Sequence, residues 1–387
     1  MNARRILLEL FDAALRAVGG ARAVEVALHN SAQGAGPVAL FAIGKAASAM
    51  ARGAHAALGQ RIVQTLVITK DGHVEPELAR LPNATILESA HPVPDERSLS
   101  AGAELERRIV NLDATVTPLF LVSGGSSSLV ERLVDGASLD QLRALNTLGL
   151  AAGWDIATLN AERRKLSSLK GGGVARLLRG RPATALFISD VPGDSPGLIG
   201  SGLLGSDAAG GDAIQRIVVA NMGAALNGAL AAAHAHGLQV EVREERFDCD
   251  AAATAREFVD ALRSTDSDGL VWGGESTVTL PAQPGRGGRN THLALAAARL
   301  LRPGEPLSIL AAGTDGTDGP TGDAGAIVDS GTIERAELGG CDVERAWREF
   351  DSGTALEAAE DLVHTGPTGT NVGDLLIGLK TAWPRDR

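Results

Sequence analysis

The chain has 387 residues, 44% of them hydrophobic and 21% charged, and a formal net charge of -11. That balance is ordinary for a folded globular protein, long enough for two or three domains, and it excludes the disordered and fibrous classes. Aromatic residues make up only 3%, with no tyrosine, so neither a base-stacking platform nor a surface of phosphate-neutralising charge is available, and no nucleic-acid partner is expected.

The opening MNARRILLELFDAALRAVGG reads as an amphipathic helix rather than a signal peptide, because Glu9 and Asp12 interrupt its apolar stretch at helical spacing. Strand-like runs then alternate with helical stretches: VALFAI (38 to 43), TLVIT (65 to 69), ATILES (84 to 89), LFLVS (119 to 123), ATALFIS (183 to 189) and QRIVVA (215 to 220). KAASAMARGAHAALG, SLDQLRALNTLGLAAGWDIATL and AALNGALAAAHAHG fill the spaces between as helices, the last ending on Gly237 as a C-cap. This is the α/β pattern of a mainly parallel, Rossmann-like sheet covered by helices on both faces, expected over residues 1–240. A second, smaller α/β block is expected over 241–387, with the boundary near 237 to 245. In it, DGLVWGGESTVTLPAQPGRGGRN reads as strand, turn, strand and glycine-rich loop, followed by the helix THLALAAARLL, the buried strand LSILAA and a helical stretch around Glu344 to Phe350.

Ligands of such sheets sit at the carboxyl ends of the strands, so the strand-to-helix turns carry the chemistry. Gly44 and Lys45 follow the first strand, where exposed amides and an ammonium suit a phosphate or carboxylate; a lysine merely reaching solvent would read the same way. A Walker loop is excluded, since Ala39 and Ala46 occupy positions that need Gly and Ser or Thr. Ser123, Gly124, Gly125, Ser126, Ser127 and Ser128 form a second donor-rich turn, and Ser128 in place of glycine excludes a GxSxG elbow around Ser126. NAERRKLSSLKGGG sets Arg163, Arg164, Lys165 and Lys170 ahead of Gly171, Gly172 and Gly173, either as an anion-binding turn or as cations complementing a helix end.

Asp190 ends a strand and Asp194 follows in a Pro/Gly loop, the usual post for a Mg²⁺ ligand or a general base. Arg286 and Arg289 in GRGGRN offer forks of donors to a carboxylate or phosphoryl group. AAGTDGTDGPTGDAGA crowds Asp315, Asp318 and Asp323 among glycines, and carboxylates so close call for a cation or for hydrogen-bond donors; an acidic surface turn is the plainer alternative. Cationic donors, amide-rich turns and Mg²⁺-type carboxylates together are the parts of a phosphoryl-transfer site. No GxGxxG follows a strand, which leaves an NAD(P)H-dependent reductase as the weaker alternative.

IGKAASAM, SGGSSS, NAERRKLSSLKGGGVARL, SDVPGDSPGLIGSG, GGESTVTL with GRGGRN, GTDGTDGPTGDAGA and GPTGTNVGDL, in that order and over nearly the whole chain, resemble the MOFRL-type glycerate 2-kinases, some of which carry the name hydroxypyruvate reductase. The resemblance implies ATP-dependent, Mg²⁺-assisted phosphorylation of D-glycerate at its 2-hydroxyl, in a cleft between a Rossmann-like domain and a MOFRL domain. It carries the family's functional positions onto Lys45 and Arg289. Catalytic roles are therefore expected for Lys45, Arg289, Asp190, Asp315 and Asp318, and metal binding for Asp190 and Asp194. Substrate or nucleotide contacts are expected from Gly44, Ser123 to Ser127, Lys170, Gly171, Gly172, Glu275, Arg286, Asn290 and Asn371.

The chain departs from the family pattern at Lys165, where histidine is usual, at Ser201 to Leu204, which read SGLL for SGPT, and in a shortened stretch before IVVAN. Cys249 and Cys341 form no CxxC or CxxH signature, and no run approaches the ~20 apolar residues that cross a bilayer. A cytoplasmic enzyme acting on small molecules, with no membrane partner and with a homodimer left open, is the expectation.

Overall fold

The computed structural model describes residues 2–31, 34–81, 83–151, 156–205 and 213–380. The stretch 206–212, where the family pattern is shortened, and 152–155, inside the helical run that begins at Ser138, lie outside the described residues. The chain divides into two compact units. One comprises Gly19–Asn221 with Gly369–Val372, and the other Met1–Val18, Met222–Thr368 and Gly373–Arg387. The division along the chain thus falls at Asn221/Met222, ahead of the 240/241 boundary read from the sequence, while the first 18 residues join the later unit and Gly369–Val372 the earlier one. The helix Ala3–Ala17 belongs with the C-terminal unit, where it packs on the helix Met222–Ala235.

In the N-terminal unit, β1 (Val38–Ile43), β2 (Ile62–Lys70), β3 (Ala84–Ser89), β4 (Thr117–Val122), β5 (Ala183–Ile188) and β6 (Ile214–Ala220) form one sheet in the order β3-β2-β1-β4-β5-β6. Every pairing is parallel. Helices on both faces of such a sheet leave central strands no wet side, and every residue of β1 and β5 is buried. Alternate residues therefore serve one core: Ala39, Phe41 and Ile43 of β1 join Phe120 and Val122 of β4 and Phe187 of β5, with Phe41 and Phe120 stacked at 5.1 Å. The strand order reverses between β1 and β4, so the chain leaves these neighbouring strands in opposite directions and opens a crevice at their carboxyl ends.

The C-terminal unit holds β7 (Val240–Phe247), β8 (Gly269–Gly274), β9 (Leu307–Gly313), β10 (Gly325–Asp329), β11 (Leu362–Val363) and β12 (Asp374–Lys380), in the order β11-β10-β9-β12-β8-β7. Only β7 and β8 pair in parallel; β12 runs antiparallel between β8 and β9. The second strand expected after Gly274 does not form, and Thr277 makes only an isolated bridge to Asp250. Phe258, Trp272 and the buried face of the helix Arg289–Leu300 anchor this core, with Phe258 stacked on Trp272 at 6.5 Å.

The helix Met222–Ala235 ends as its sequence suggests: Gly237 has φ +74°, and Leu238 N-H donates to the Ala233 carbonyl at 3.0 Å. Nothing lies within 4 Å of a Cβ added at Gly237, so its glycine answers to backbone conformation alone. Gly237→Ala is expected to lower stability by about 1 kcal/mol, read as a lower urea midpoint at unchanged slope.

Candidate functional site

Both turns at the N-terminal crevice are fixed by contacts that only glycine permits. Gly44 has φ +130°, and a Cβ there would overlap Ser123 Oγ and the Ser123 carbonyl. This close approach lets Lys45 N-H donate to the Gly124 carbonyl at 3.0 Å and Ala46 N-H to Ser123 Oγ at 3.1 Å. From the other side, His73 Nδ1 lies 3.3 Å from the Lys45 carbonyl, and Thr69 Oγ1 donates to the Gly44 carbonyl at 3.0 Å. Lys45 is thus held through both of its peptide groups while its half-buried side chain runs past Gly125.

Gly124 receives two side chains. A Cβ there would overlap Asp190 Oδ2 and Asn371 Nδ2, which are themselves joined by a 2.9 Å hydrogen bond from Asn371 to Asp190. Asp190 follows β5, and Asn371 comes from the returning segment Gly369–Val372. Lys45, the Ser123–Gly125 turn, Asp190 and Asn371 therefore share the carboxyl edge of β1, β4 and β5. Ser126 Oγ is fully buried beside this turn with no hydrogen-bond partner among the described residues, and a Cβ at Gly200 would overlap it. Ser127, half-buried, completes the short helix Ser126–Leu129, whose first amides have no intrahelical acceptor.

Other residues singled out in this unit have partners within the protein. Lys170 is buried and its ammonium pairs at very short range with the fully buried Glu131. Burial lowers the Lys170 pKa while Glu131 opposes the shift. Gly171 N-H donates to Ser201 O at 3.1 Å and Gly172 N-H to Gly202 O at 2.7 Å. The Lys170–Gly172 turn therefore has its ammonium and amides committed inside the protein, to Glu131 and to the segment that reads SGLL. Asp194, at φ +53°, accepts from Asn221 Nδ2 at 2.6 Å. Lys165, the residue in the usual histidine position, pairs with Glu162 at 2.6 Å.

The C-terminal unit builds a second cluster by strand register. Asp374 opens β12 and stands opposite Gly274, the last residue of β8, and Gly313, the last of β9. The inserted strand thereby brings Asp374 beside Glu275, the residue after β8, and beside the start of the helix Arg289–Leu300. Arg289 grips Asp374 in two places, Nε to Oδ2 at 2.5 Å and Nη2 to Oδ1 at 3.0 Å, and reaches Glu275 with Nη1 at 2.8 Å. Burial opposes the guanidinium charge, yet Asp374, Glu275 and Asp318 hold its pKa well above the ordinary arginine value. Burial likewise pushes Asp374 upward against the pull of Arg289, and the bidentate geometry is that of the charged pair. Sequence reasoning missed Asp374; its signal was the Gly-Asp step of GPTGTNVGDL, just ahead of an apolar run.

Asp318 caps the helix that opens at Arg289. Its Oδ1 accepts Asn290 N-H at 2.9 Å and Asn290 Nδ2 at 3.4 Å, and its Oδ2 accepts Thr291 N-H at 2.7 Å and Thr291 Oγ1 at 2.8 Å. A carboxylate has about four lone-pair positions, and these donors fill them. Burial pushes its pKa up to about 6 in spite of the donors. Asp323 is neutralised by Arg286 at 3.1 Å and lies 3.1 Å from His364, while Arg286 also pairs with Glu357 at 2.6 Å. Arg286 thus braces the loop through two carboxylates. Asp315 is buried and accepts Thr317 N-H at 3.0 Å; a Cβ at Gly313 would lie 3.3 Å from Asp315 Oδ1 and 3.5 Å from Asn290 Nδ2, which places both at the Arg289 end of the sheet. Asn290 is buried, and its Oδ1 has no partner among the described residues. The aspartate loop therefore draws its charge compensation from the protein itself. No group of three or more His, Cys, Asp and Glu able to hold a metal ion occurs among the described residues.

Residues 6–233 match the domain of unknown function DUF4147, and residues 269–374 match the MOFRL family. A protein of Thermotoga maritima named D-glycerate 2-kinase is 33% identical over 97% of this chain and 98% of its own length. The chain belongs to the MOFRL-type glycerate 2-kinase family. A protein of Agrobacterium vitis named putative hydroxypyruvate reductase is also 33% identical, over 98% of this chain and 95% of its own. The crystal structure of a glycerate kinase from Thermotoga maritima superposes with a TM-score of 0.83 at 33% identity, covering 97% of this chain and 99% of that one. Among the described residues, no helix is long and apolar enough to cross a membrane.

The buried pairing of Lys170 with Glu131 has a measurable consequence. Lys170→Met leaves Glu131 buried without its countercharge, and the expected cost is about 3 to 5 kcal/mol in chemical denaturation. A phosphate-binding lysine at the surface would instead give a wild-type denaturation curve and a loss of activity.

Proposed function

We propose that this protein transfers the γ-phosphoryl group of ATP to the 2-hydroxyl of D-glycerate, giving 2-phosphoglycerate and ADP. The observation that carries this reading is the pinned Lys45 turn at the β1/β4 switch point, a cation and amide cradle of the kind that holds transferring phosphoryl groups. Family membership, and the name borne by the Thermotoga maritima relative, select glycerate among the substrates such a cradle could serve.

In this reading Lys45 and the amides of the Gly124–Ser127 turn neutralise and orient phosphoryl oxygens. Arg289, with its guanidinium plane fixed by Asp374, holds the glycerate carboxylate or the transferring group through donors not spent on Asp374 and Glu275. With Asp318 committed as a cap, Asp315 is the loop carboxylate left to accept the hydroxyl proton, and Asn290 Oδ1 is a buried acceptor for a substrate hydroxyl.

Mg²⁺ binds through one or two carboxylates and completes its shell with water and phosphate oxygens, so a three-carboxylate cage is not required. Asp190, half-buried against the Gly124 backbone, fits that donor set, with Asp194 as the second candidate. The ion would offset charge on the phosphoryl oxygens.

The reductase name in the Agrobacterium vitis relative supplies a second reading. Its test is oxidation of NADH by enzyme and hydroxypyruvate. Against it stands the β1 turn, which reads Gly44-Lys45-Ala46 rather than a dinucleotide fingerprint.

Incubation with D-glycerate, Mg-ATP and enolase, without phosphoglycerate mutase, is expected to yield phosphoenolpyruvate, because only the 2-phosphate is a direct substrate for dehydration. Product that appears only after mutase is added would remove the regiochemistry, and no ADP at all would remove the kinase. Lys45→Ala is expected to lower kcat/KM by about 3 to 5 kcal/mol of transition-state stabilisation with an unchanged melting midpoint. Near-normal turnover would refute the role given to Lys45.

A further inference from the structure

His91 lies in the short connection between β3 and the helix Glu96–Val110. Two strands, β2 and β1, separate β3 from β4, so three strand spacings, roughly 14 Å, lie between β3 and the turn that follows β4. The His91 ring nevertheless crosses to that turn. A Cβ added at Gly125 would sit 3.1 Å from His91 Cδ2, 3.3 Å from His91 Nε2 and 3.1 Å from Lys45 Cγ. The imidazole edge and the lysine stem therefore press on the same point of a glycine held at φ +83°.

The connection is anchored at both ends. Ser89 is paired with Lys70 at the end of β3, and Asp95 caps the next helix by accepting Arg97 N-H at 2.9 Å and Ser98 N-H at 3.3 Å. Arg143 Nε donates to the Pro94 carbonyl at 3.3 Å. A short loop fixed in this way holds its side chain with little freedom, as a ligand-binding group requires. Half-buried, His91 still has a face toward solvent at the carboxyl edge of the sheet.

We propose that His91 is a substrate-binding residue that, together with Lys45, grips one anionic oxygen group above the Gly125 turn, Nε2-H donating to an oxygen that also faces the ammonium. The group is a glycerate carboxylate or an ATP phosphoryl; both present the same charged oxygens. The inference deepens the kinase reading and rests on it for the identity of the ligand, though not for the presence of an anion.

Titration calorimetry of the full chain with D-glycerate, ATP and inorganic phosphate, alongside melting midpoints, tests it in wild type, His91→Ala and His91→Gln. His91→Ala is expected to weaken one of D-glycerate and ATP by about 10- to 100-fold while the other changes by less than about threefold, at an unchanged melting midpoint. The ligand affected identifies the group as carboxylate or phosphoryl. His91→Gln, whose amide keeps a donor near the Nε2 position, is expected to recover most of the loss. If His91→Ala does not fold, His91→Asn, polar but too short to reach, takes its place. Wild-type affinity for both ligands in the shortened variants, equal loss of both with a lowered melting midpoint, or no recovery with glutamine would overturn the proposal. A wild-type protein that fails to phosphorylate D-glycerate but binds inorganic phosphate in a His91-dependent way would remove the kinase reading and keep the anion site. Phosphate binding that is absent, or indifferent to His91, in such a protein would remove both.

Discussion

The 3.0 Å hydrogen bond from the Lys45 amide to the Gly124 carbonyl joins the two turns on which the candidate site depends. It forms because β1 and β4 are parallel neighbours in register, Ile43 beside Val122, so the residues that follow each strand emerge side by side. At the same place the order of strands reverses and helices depart to either side, so side chains meet there without a helix covering them. Gly44 and Gly124 permit the approach; any side chain at either would push the turns apart or displace Asp190 and Asn371. Sequence, strand register and site geometry are in this way one chain of causes, from an apolar VALFAI run to a lysine fixed through both of its peptide groups.

The C-terminal unit reaches a comparable result by another route. A strand from the tail inserts antiparallel between β8 and β9, and its first residue, Asp374, arrives at their carboxyl ends. The arginine that opens the neighbouring helix meets it there. Removing Arg289 would strand the buried Asp374 carboxylate, whereas Arg289, a third exposed and also paired with Glu275, would keep a partner without Asp374. Asp318 meanwhile satisfies the first amides of that same helix, which fixes where Arg289 starts.

Much of the N-terminal sheet was legible because parallel strands buried on both faces read as largely apolar runs; VALFAI coincides with β1, and ATALFIS contains all of β5. The turns after β1, β4 and β5 were equally legible, since glycine, serine and a single charge at a strand end have few other uses. What failed was pairing over long separations. Lys170 reads as an anion ligand until Glu131, 39 residues earlier, is seen to share its burial. Asp315, Asp318 and Asp323 read as one repelling cluster until each proves to have its own partners, two of them from residues 286 to 291. β12 was hidden because no local pattern announces that a tail will insert between two strands, and the N-terminal helix gave no sign that it belongs with the later unit.

The most direct test of this account is the affinity of Gly124→Ala for Mg-ATP, measured by calorimetry on protein whose melting midpoint is also recorded. The added methyl displaces Asp190 and Asn371 from the Ser123–Gly125 turn while removing no charged group and leaving the Lys45 and Arg289 side chains unaltered. The account predicts that Mg-ATP binding falls by at least tenfold in a protein that still folds, since positioned oxygens and amides, and not charge alone, make the cradle. Wild-type affinity in a folded Gly124→Ala protein would contradict it.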